Sequence, residues 1–359
     1  MAAPEQSYSS QPKSGGLSAI RDIARQLAGA EVTDLEAVYG GRNNSIFRIR
    51  RRDGADFALK RYVTPQGEGF DRLDAEYEGL TFLTAQRRLP VPMPIAVERV
   101  VGCALFEWID GESVGLPTDD DIEAAANFVL QLKELSSSTG ADAVPPAREA
   151  CLSGAEIVGQ VQRRVGHLLH AADGHDALRY FIEREFLPLF ARATLRARWG
   201  YQEQGLDFRL ELQRDLQVLS PSDFGFHNSV RRHDGSLVFV DFEYFGCDDP
   251  VKLVVDFLLH PGMTLNESQK RRFLSRVLPT FVAGDAEFLI RMRLLYTLYG
   301  LRWCMILLNE FLPERWARRE LAGPFDHAAE QSRQLAKAQR LLNELDVQDS
   351  LDAGENAAS

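Results

Sequence analysis

The sequence predicts an α+β fold in two lobes, a small antiparallel-sheet lobe followed by a mainly helical one. Three observations carry this. Short strand-like runs separated by glycine-bearing turns crowd into residues 30–108. From Asp119 onward apolar residues recur at helical spacing. One return to strand pattern in that second half, Ser229–Val240, turns at Asp234-Gly235. A chain of 359 residues suffices for two lobes with a cleft between them.

Residues 1–16, rich in Ser, Gln, Pro and Gly, read as a disordered tail. The first lobe spans 17–108. Leu17, Ile20, Ile23 and Leu27 define a short amphipathic helix. Strands are expected at Leu35–Val38, Ser45–Arg50, Phe57–Tyr62, Pro94–Val101 and Ala104–Trp108, with a helix over Phe70–Gln86. The second lobe, 109–347, should carry helices at Asp119–Leu135, Ile157–Leu169, Ala177–Ala193 and Phe208–Val218. Helices resume from Pro250 and run with breaks to Leu345. Small polar residues make 348–359 a flexible tail.

The formal net charge of −11 argues against nucleic acid as a partner. Cys103, Cys151, Cys247 and Cys304 form no Cys-x-x-Cys pair and read as buried thiols in a reducing compartment. The N-terminus lacks the basic and apolar regions of a signal peptide. Leu294–Leu308 is apolar but contains Arg302 and is too short to span a bilayer. A cytoplasmic protein without membrane partners is expected.

The most informative stretch is Ser220–Asn228, followed by Val238–Glu243. A hairpin between them would bring Asn228 and Asp241 together, although they lie thirteen positions apart. An amide oxygen and a carboxylate are hard ligands suited to Mg2+. Asp223 is then placed to receive a substrate hydroxyl. Alignment matters more than basicity in phosphoryl transfer, whose transition state is loose. Glu243 would share the face of Asp241 if the segment stays extended, as a second metal ligand or as a positioning group for water and Lys60. Phe224, Phe226, Phe239 and Phe242 read as packing residues, and His227 as a structural hydrogen-bonding group.

At the other end, Gly40 and Gly41 permit close backbone approach to phosphate, and Asn43 and Asn44 support the turn. Strand alternation puts Ala58 and Lys60 on one face, where a lysine could meet nucleotide phosphates. Its long stem needs an acid partner: Glu76, with Glu78 as the alternative. Backbone groups of Glu107 and Ile109, at the lobe junction, are candidates for the adenine edge.

These motifs resemble those of the aminoglycoside phosphotransferase and choline-kinase-like superfamily, which has a protein-kinase-like fold. The resemblance covers roughly residues 32–310 and continues through Gly246–Pro250 and Asp256. It implies that Lys60 contacts the α- and β-phosphates and pairs with Glu76. It further implies that Asp223 is catalytic, that Asn228 and Asp241 bind Mg2+, and that Asp249 and Asp256 organise the loop and helix. The expected activity is ATP- or GTP-dependent phosphorylation of a hydroxyl on an aminoglycoside, amino alcohol, sugar or related metabolite. Many relatives have His-Gly where this chain has Pro221-Ser222. That departure keeps a catalytically silent nucleotide-binding scaffold in play as a rival, and nucleotidyl transfer is the enzymatic one. For the acceptor, Glu156, Asp248 and Asp249 favour a cation, whereas Arg302 and Trp303 favour a polar or anionic group.

Overall fold

Alternating side chains build the first lobe from the sheet outward. The computed structural model describes residues 14–38, 44–62, 71–86, 89–313 and 326–357. Strands β1 (Val32–Val38), β2 (Asn44–Arg51), β3 (Asp56–Tyr62), β4 (Pro94–Glu98) and β5 (Cys103–Glu107) form one antiparallel sheet in the order β1-β2-β3-β5-β4. Leu59 and Leu105 face helix α1 (Ser14–Ala28), packing with its Ile20 and Ala24. Ala58, Ala104 and Phe106 face the opposite way, toward α2 (Arg72–Gln86) and the second lobe. Lys60 pairs with Ala104 across the β3–β5 ladder and is buried.

The second lobe is mainly helical. Helix α3 (Asp119–Leu135) has its expected limits because Thr118 and Asp121 close a reciprocal cap at its start. Ser153 caps α4 (Gly154–Ala171). The expected Ala177–Ala193 helix is a longer rod: α5 (Asp176–Tyr180), a widened turn at Phe181–Phe186, and α6 (Leu187–Glu203). Pro188 explains the widening, since it has no N–H to donate to the preceding turn. Burial of Ala193, Ala197 and Tyr201 extends the rod beyond its expected end.

The expected helix at Phe208–Val218 is absent. Its backbone groups are used elsewhere: Phe208 C=O accepts from Ala155 N–H at 2.9 Å, and Leu212 N–H donates to Leu152 C=O at 2.7 Å. One tight turn at Arg214–Leu216 then leads into β7 (Val218–Ser220). A short sheet follows, β6 (Glu112–Ser113) with β8 (Ser229–Arg231) and β9 (Leu237–Phe239), and β10 (Gly246–Asp248) pairs with β7.

Helices α7 (Pro250–Leu259), α8 (Glu267–Gly284), α9 (Phe288–Leu307) and α10 (His327–Ala357) complete the lobe. Helix α9 is packed by α4, α6, α7 and α10, which accounts for its apolar sequence. Its Arg302 is not stranded in that core, because it pairs with Asp256 at 3.1 Å. Among the described residues no helix is long and apolar enough to cross a membrane. All four cysteines are buried free thiols. The expected flexible tail at 348–359 is instead helical as far as Ala357, as part of α10. Buried Asp349 accounts for this, pairing with Arg196 at 2.6 Å and Arg192 at 3.2 Å on α6.

Candidate active site

Two backbone irregularities shape the site. Ser222 and Asp241 are the only non-glycine residues with positive φ among those described, both at 67°. Such a conformation is costly for a side-chain-bearing residue and persists only where the surroundings enforce it. After Asp223 the chain passes Gly225, where a Cβ would lie 2.6 Å from Met263 Sδ and 2.8 Å from the His227 ring. It then makes one tight turn at Phe226–Asn228. The hairpin closes through Val240 N–H donating to Asn228 C=O at 2.9 Å, so Asp241 emerges beside Asn228. Phe239 stacks on Phe128 of α3 and Phe224 packs against it at a tilt, which anchors both arms to the helical core.

Left-handed backbone at Asp241 corrects the expectation of an extended segment through Glu243. Alternation therefore does not set where Glu243 lies. It is buried, accepts a hydrogen bond from Asn44 Nδ2, and lies 4.0 Å from the Arg72 guanidinium. Two residues further on, the Phe245 ring lies against Gly79 of α2, at a spot that has no room for a Cβ. The loop after Asp241 and the first lobe's helix are thereby locked together.

Lys60 Nζ lies 2.6 Å from Glu76 and 2.5 Å from Asp241. Glu76 also accepts from Tyr62 Oη at 2.7 Å and from Phe242 N–H at 3.2 Å. Burial opposes a charged amine, but the carboxylates of Asp241, Glu76 and Glu243 outweigh it and push Lys60 above its ordinary value. Asp241 is pushed up by burial and by its acidic neighbour Glu243, against the pull of Lys60. Glu78, the alternative partner, is instead held by Arg99 on the surface.

Asp223 Oδ1 receives His227 Nε2 and His260 Nε2, each at 3.1 Å. The two imidazoles stack with centroids 3.8 Å apart. Gly262 N–H donates to His260 Nδ1 at 3.0 Å, so a neutral His260 carries its proton on Nε2 and donates it to Asp223. Burial holds His260 below its usual range and favours that neutral form. Burial disfavours the Asp223 carboxylate too, but the two imidazole hydrogen bonds more than reverse this and hold it well below the usual carboxylate range. Asn228 Nδ2 donates to Asp223 C=O at 2.9 Å, which commits the amide nitrogen and leaves its oxygen as the group for binding.

Asp223, Asn228, Asp241, Lys60, Asn44 and Glu243 all line one cleft of about 1330 Å3. Glu107 and Ile109 are not among the described residues lining it. The Glu107 N–H is committed to Met93 C=O at 2.8 Å, and its side chain meets Arg232 at 3.0 Å. Gly40, Gly41 and Asn43 lie outside the described residues.

The donor set fits a hard divalent cation. Asn228 Oδ1 and Asp241 Oδ2 are oxygens without hydrogen-bond partners among the described residues. Three carboxylates surround one lysine in a buried setting, a surplus of negative charge that such an ion would offset.

Three contributors escaped the sequence reading. His260 lies 37 residues beyond Asp223 with no local signal. Arg72 precedes Glu76 by four residues, a spacing that would have placed both on one helix face. Lys252 sits four residues from both Asp248 and Asp256, bonding the former at 2.6 Å beneath the Ser222 turn. Asp249, for its part, caps α7 and pairs with Arg291 at 3.1 Å.

A sheet lobe and a helical lobe, with a buried lysine facing acids on a hairpin, define a kinase-like phosphotransferase architecture. The chain belongs to the phosphotransferase enzyme family, whose model matches residues 34–274. Solved structures share the fold. The choline kinase LicA from Streptococcus pneumoniae is 13% identical, with a TM-score of 0.55 over 92% of this chain and 100% of that one. An ethanolamine kinase of Plasmodium vivax is 14% identical, with a TM-score of 0.54 over 86% and 83%. A thermostable mutant of aminoglycoside phosphotransferase APH(4)-Ia, in ternary complex with AMP-PNP and hygromycin B, is 14% identical, with a TM-score of 0.53 over 90% and 98%. No curated protein sequence matches.

Proposed function

We propose that this protein transfers a phosphoryl group from a nucleoside triphosphate, ATP or GTP, to a hydroxyl of a small molecule, with Mg2+. The observation that carries this reading is the convergence of Asp223, Asn228, Asp241 and Lys60 on one cleft between the lobes. Lys60, held by Glu76, neutralises the triphosphate. Asn228 and Asp241 hold the metal, which when bound offsets charge on the phosphates. Glu243 steadies the Asn44 end of the nucleotide turn and is not needed as a ligand. Gly40, Gly41 and Asn43 cover the phosphates. Asp223 aligns the acceptor hydroxyl and takes its proton as the new P–O bond forms and the bond to the nucleoside diphosphate breaks.

Asp223 is a weak base, because its two histidine donors stabilise the carboxylate. That suits a late proton transfer, in which orientation counts for more than basicity. The AMP-PNP and hygromycin B of the aminoglycoside phosphotransferase complex support a nucleotide together with a small hydroxyl-bearing acceptor. A silent scaffold would not need the lysine, both metal-side groups and the aspartate together.

The test is phosphorus NMR and product mass across an acceptor panel with ATP and GTP, repeated with Asp223→Asn. The variant is expected to bind nucleotide within a few-fold of wild type while losing at least about a hundredfold in turnover, the scale of a lost general base. Unchanged turnover would remove Asp223 from its role, and a nucleotidyl product would replace the reaction class.

A further inference from the structure

We propose, resting on the phosphotransferase reading, that the acceptor is an anionic hydroxyl compound whose carboxylate or phosphate group binds in the outer cleft between α4, α9 and α10. The cleft runs away from Asp223 in a traceable direction. His260, at 3.1 Å from Asp223, meets the Trp303 ring at 4.4 Å, and Trp303 stands on α9 beside Arg302. Beyond them the lining comes from Arg164, His167 and His170 of α4 and Lys337 of α10.

Among the described residues, the acids that could attract a cation are engaged. Asp248 is bound to Lys252 at 2.6 Å and Asp249 to Arg291 at 3.1 Å, both buried. Glu156 pairs with Arg163 at 2.7 Å on the outside of α4 and does not line the cleft. Of the acids on the outer wall, Glu149 is tied to Arg164 at 2.8 Å and Asp173 to Arg179 at 2.9 Å. Glu310 is buried and likewise has a partner.

The unengaged groups are of the opposite kind. Lys337, His167 and His170 line the cleft and have no ion pair or side-chain hydrogen bond among the described residues. Lys337 is half-buried, so a bound anion would meet its amine in a partly desolvated setting. In a chain with a formal charge of −11, one lysine and two imidazoles without partners among the described residues run against the overall composition. Among the described residues, an amino sugar or quaternary amine placed there would find no carboxylate without a partner and would face Lys337, whereas a carboxylate or phosphate gains charge-assisted hydrogen bonds.

The experiment uses three probes that share one hydroxylated ring and differ in charge: glucose 1-phosphate, glucose and glucosamine. Each is titrated calorimetrically onto the full chain presaturated with Mg2+ and AMP-PNP, so the nucleotide side is occupied. Glucose 1-phosphate should bind at least tenfold tighter than the other two. Lys337→Glu should cut that advantage to threefold or less, with Lys337→Gln falling between. Circular dichroism establishes that each variant is folded.

Tighter binding of glucosamine, equal binding of all three, no measurable binding of glucose 1-phosphate, or an anion preference untouched by both variants would each overturn the proposal. Failure of Mg2+ and AMP-PNP to bind would instead refute the phosphotransferase reading. The same three probes on the unliganded chain would then still decide whether this cavity selects an anion.

Discussion

Glu76→Ala is the perturbation whose consequences the structure defines most fully. The carboxylate is 4% exposed and accepts from Lys60, Tyr62 Oη and Phe242 N–H, linking β3, α2 and the loop after Asp241. Removing one partner of a buried ion pair costs about 3–5 kcal/mol, because the other charge is left without compensation. Lys60 here keeps Asp241 at 2.5 Å, which moves the expectation toward the lower end. The orphaned Tyr62 hydroxyl and Phe242 N–H each add about 1–3 kcal/mol unless water enters the space left behind, so these terms do not simply sum. A loss of about 3 kcal/mol is expected in urea unfolding followed by tryptophan fluorescence. Glu76→Gln keeps the shape but not the charge, and should fall between the variant and wild type. The second readout is affinity for Mg2+ and AMP-PNP. Lys60 freed from Glu76 swings toward Asp241, and affinity should fall about tenfold, which corresponds to about 1.4 kcal/mol. A change in stability below about 1 kcal/mol with unchanged nucleotide affinity would show that Lys60 is not held in this cluster, since buried-network losses exceed that size.

Asp241→Ala should abolish the dependence of nucleotide affinity on Mg2+, read by titrating the metal at fixed AMP-PNP; a titration like that of wild type would exclude Asp241 as a ligand. Ser222→Gly relieves a left-handed serine at a cost in chain entropy, and should stabilise the protein by up to about 1 kcal/mol in chemical denaturation. Asp223, whose folded carboxyl is held low by its histidine donors, adds stability that is present above its unfolded value of about 3.9 and is lost as pH falls toward the lowered folded value. The stability gap between wild type and Asp223→Asn should therefore stay nearly constant from pH 6 down to about pH 4 and narrow below that in urea unfolding, and a gap that does not narrow below about pH 4 would contradict the hydrogen-bond assignment.

Departure from the His-Gly pattern acquires a physical meaning here. The position of Ser222 adopts φ 67°, a conformation glycine occupies without penalty, so this chain keeps the turn while carrying a side chain in it. Lys252 Nζ lies 3.5 Å from the Ser222 hydroxyl, and Ser222 N–H donates to Ser220 Oγ at 3.1 Å. These contacts are the surroundings that hold the strained residue in place.

Much of the architecture was legible because it follows from local periodicity. Strands β1 to β5, helix α3 and the hairpin at Asp234-Gly235 depend on alternation, a capping box and turn chemistry, all of which lie within a few residues. The pairing of Asn228 with Asp241 was likewise readable, since a hairpin converts thirteen positions of sequence into neighbours. Elements whose form depends on distant partners were not. Phe208 C=O and Leu212 N–H bond Ala155 and Leu152 rather than helical neighbours, and the α10 terminus is ordered by arginines on α6. Left-handed backbone at Asp241 redirected Glu243 in a way no alternation rule anticipates. By itself, the amino-acid order determined which chemical groups exist and how those close along the chain are spaced. Only the packed molecule decided that His260 would donate to Asp223, that Glu76 would serve three donors, and which charges in the outer cleft would be left without partners. Those outcomes depend on burial and on contacts between residues far apart in sequence, and side-chain charges acquire their strength and their mates only once water has been excluded around them.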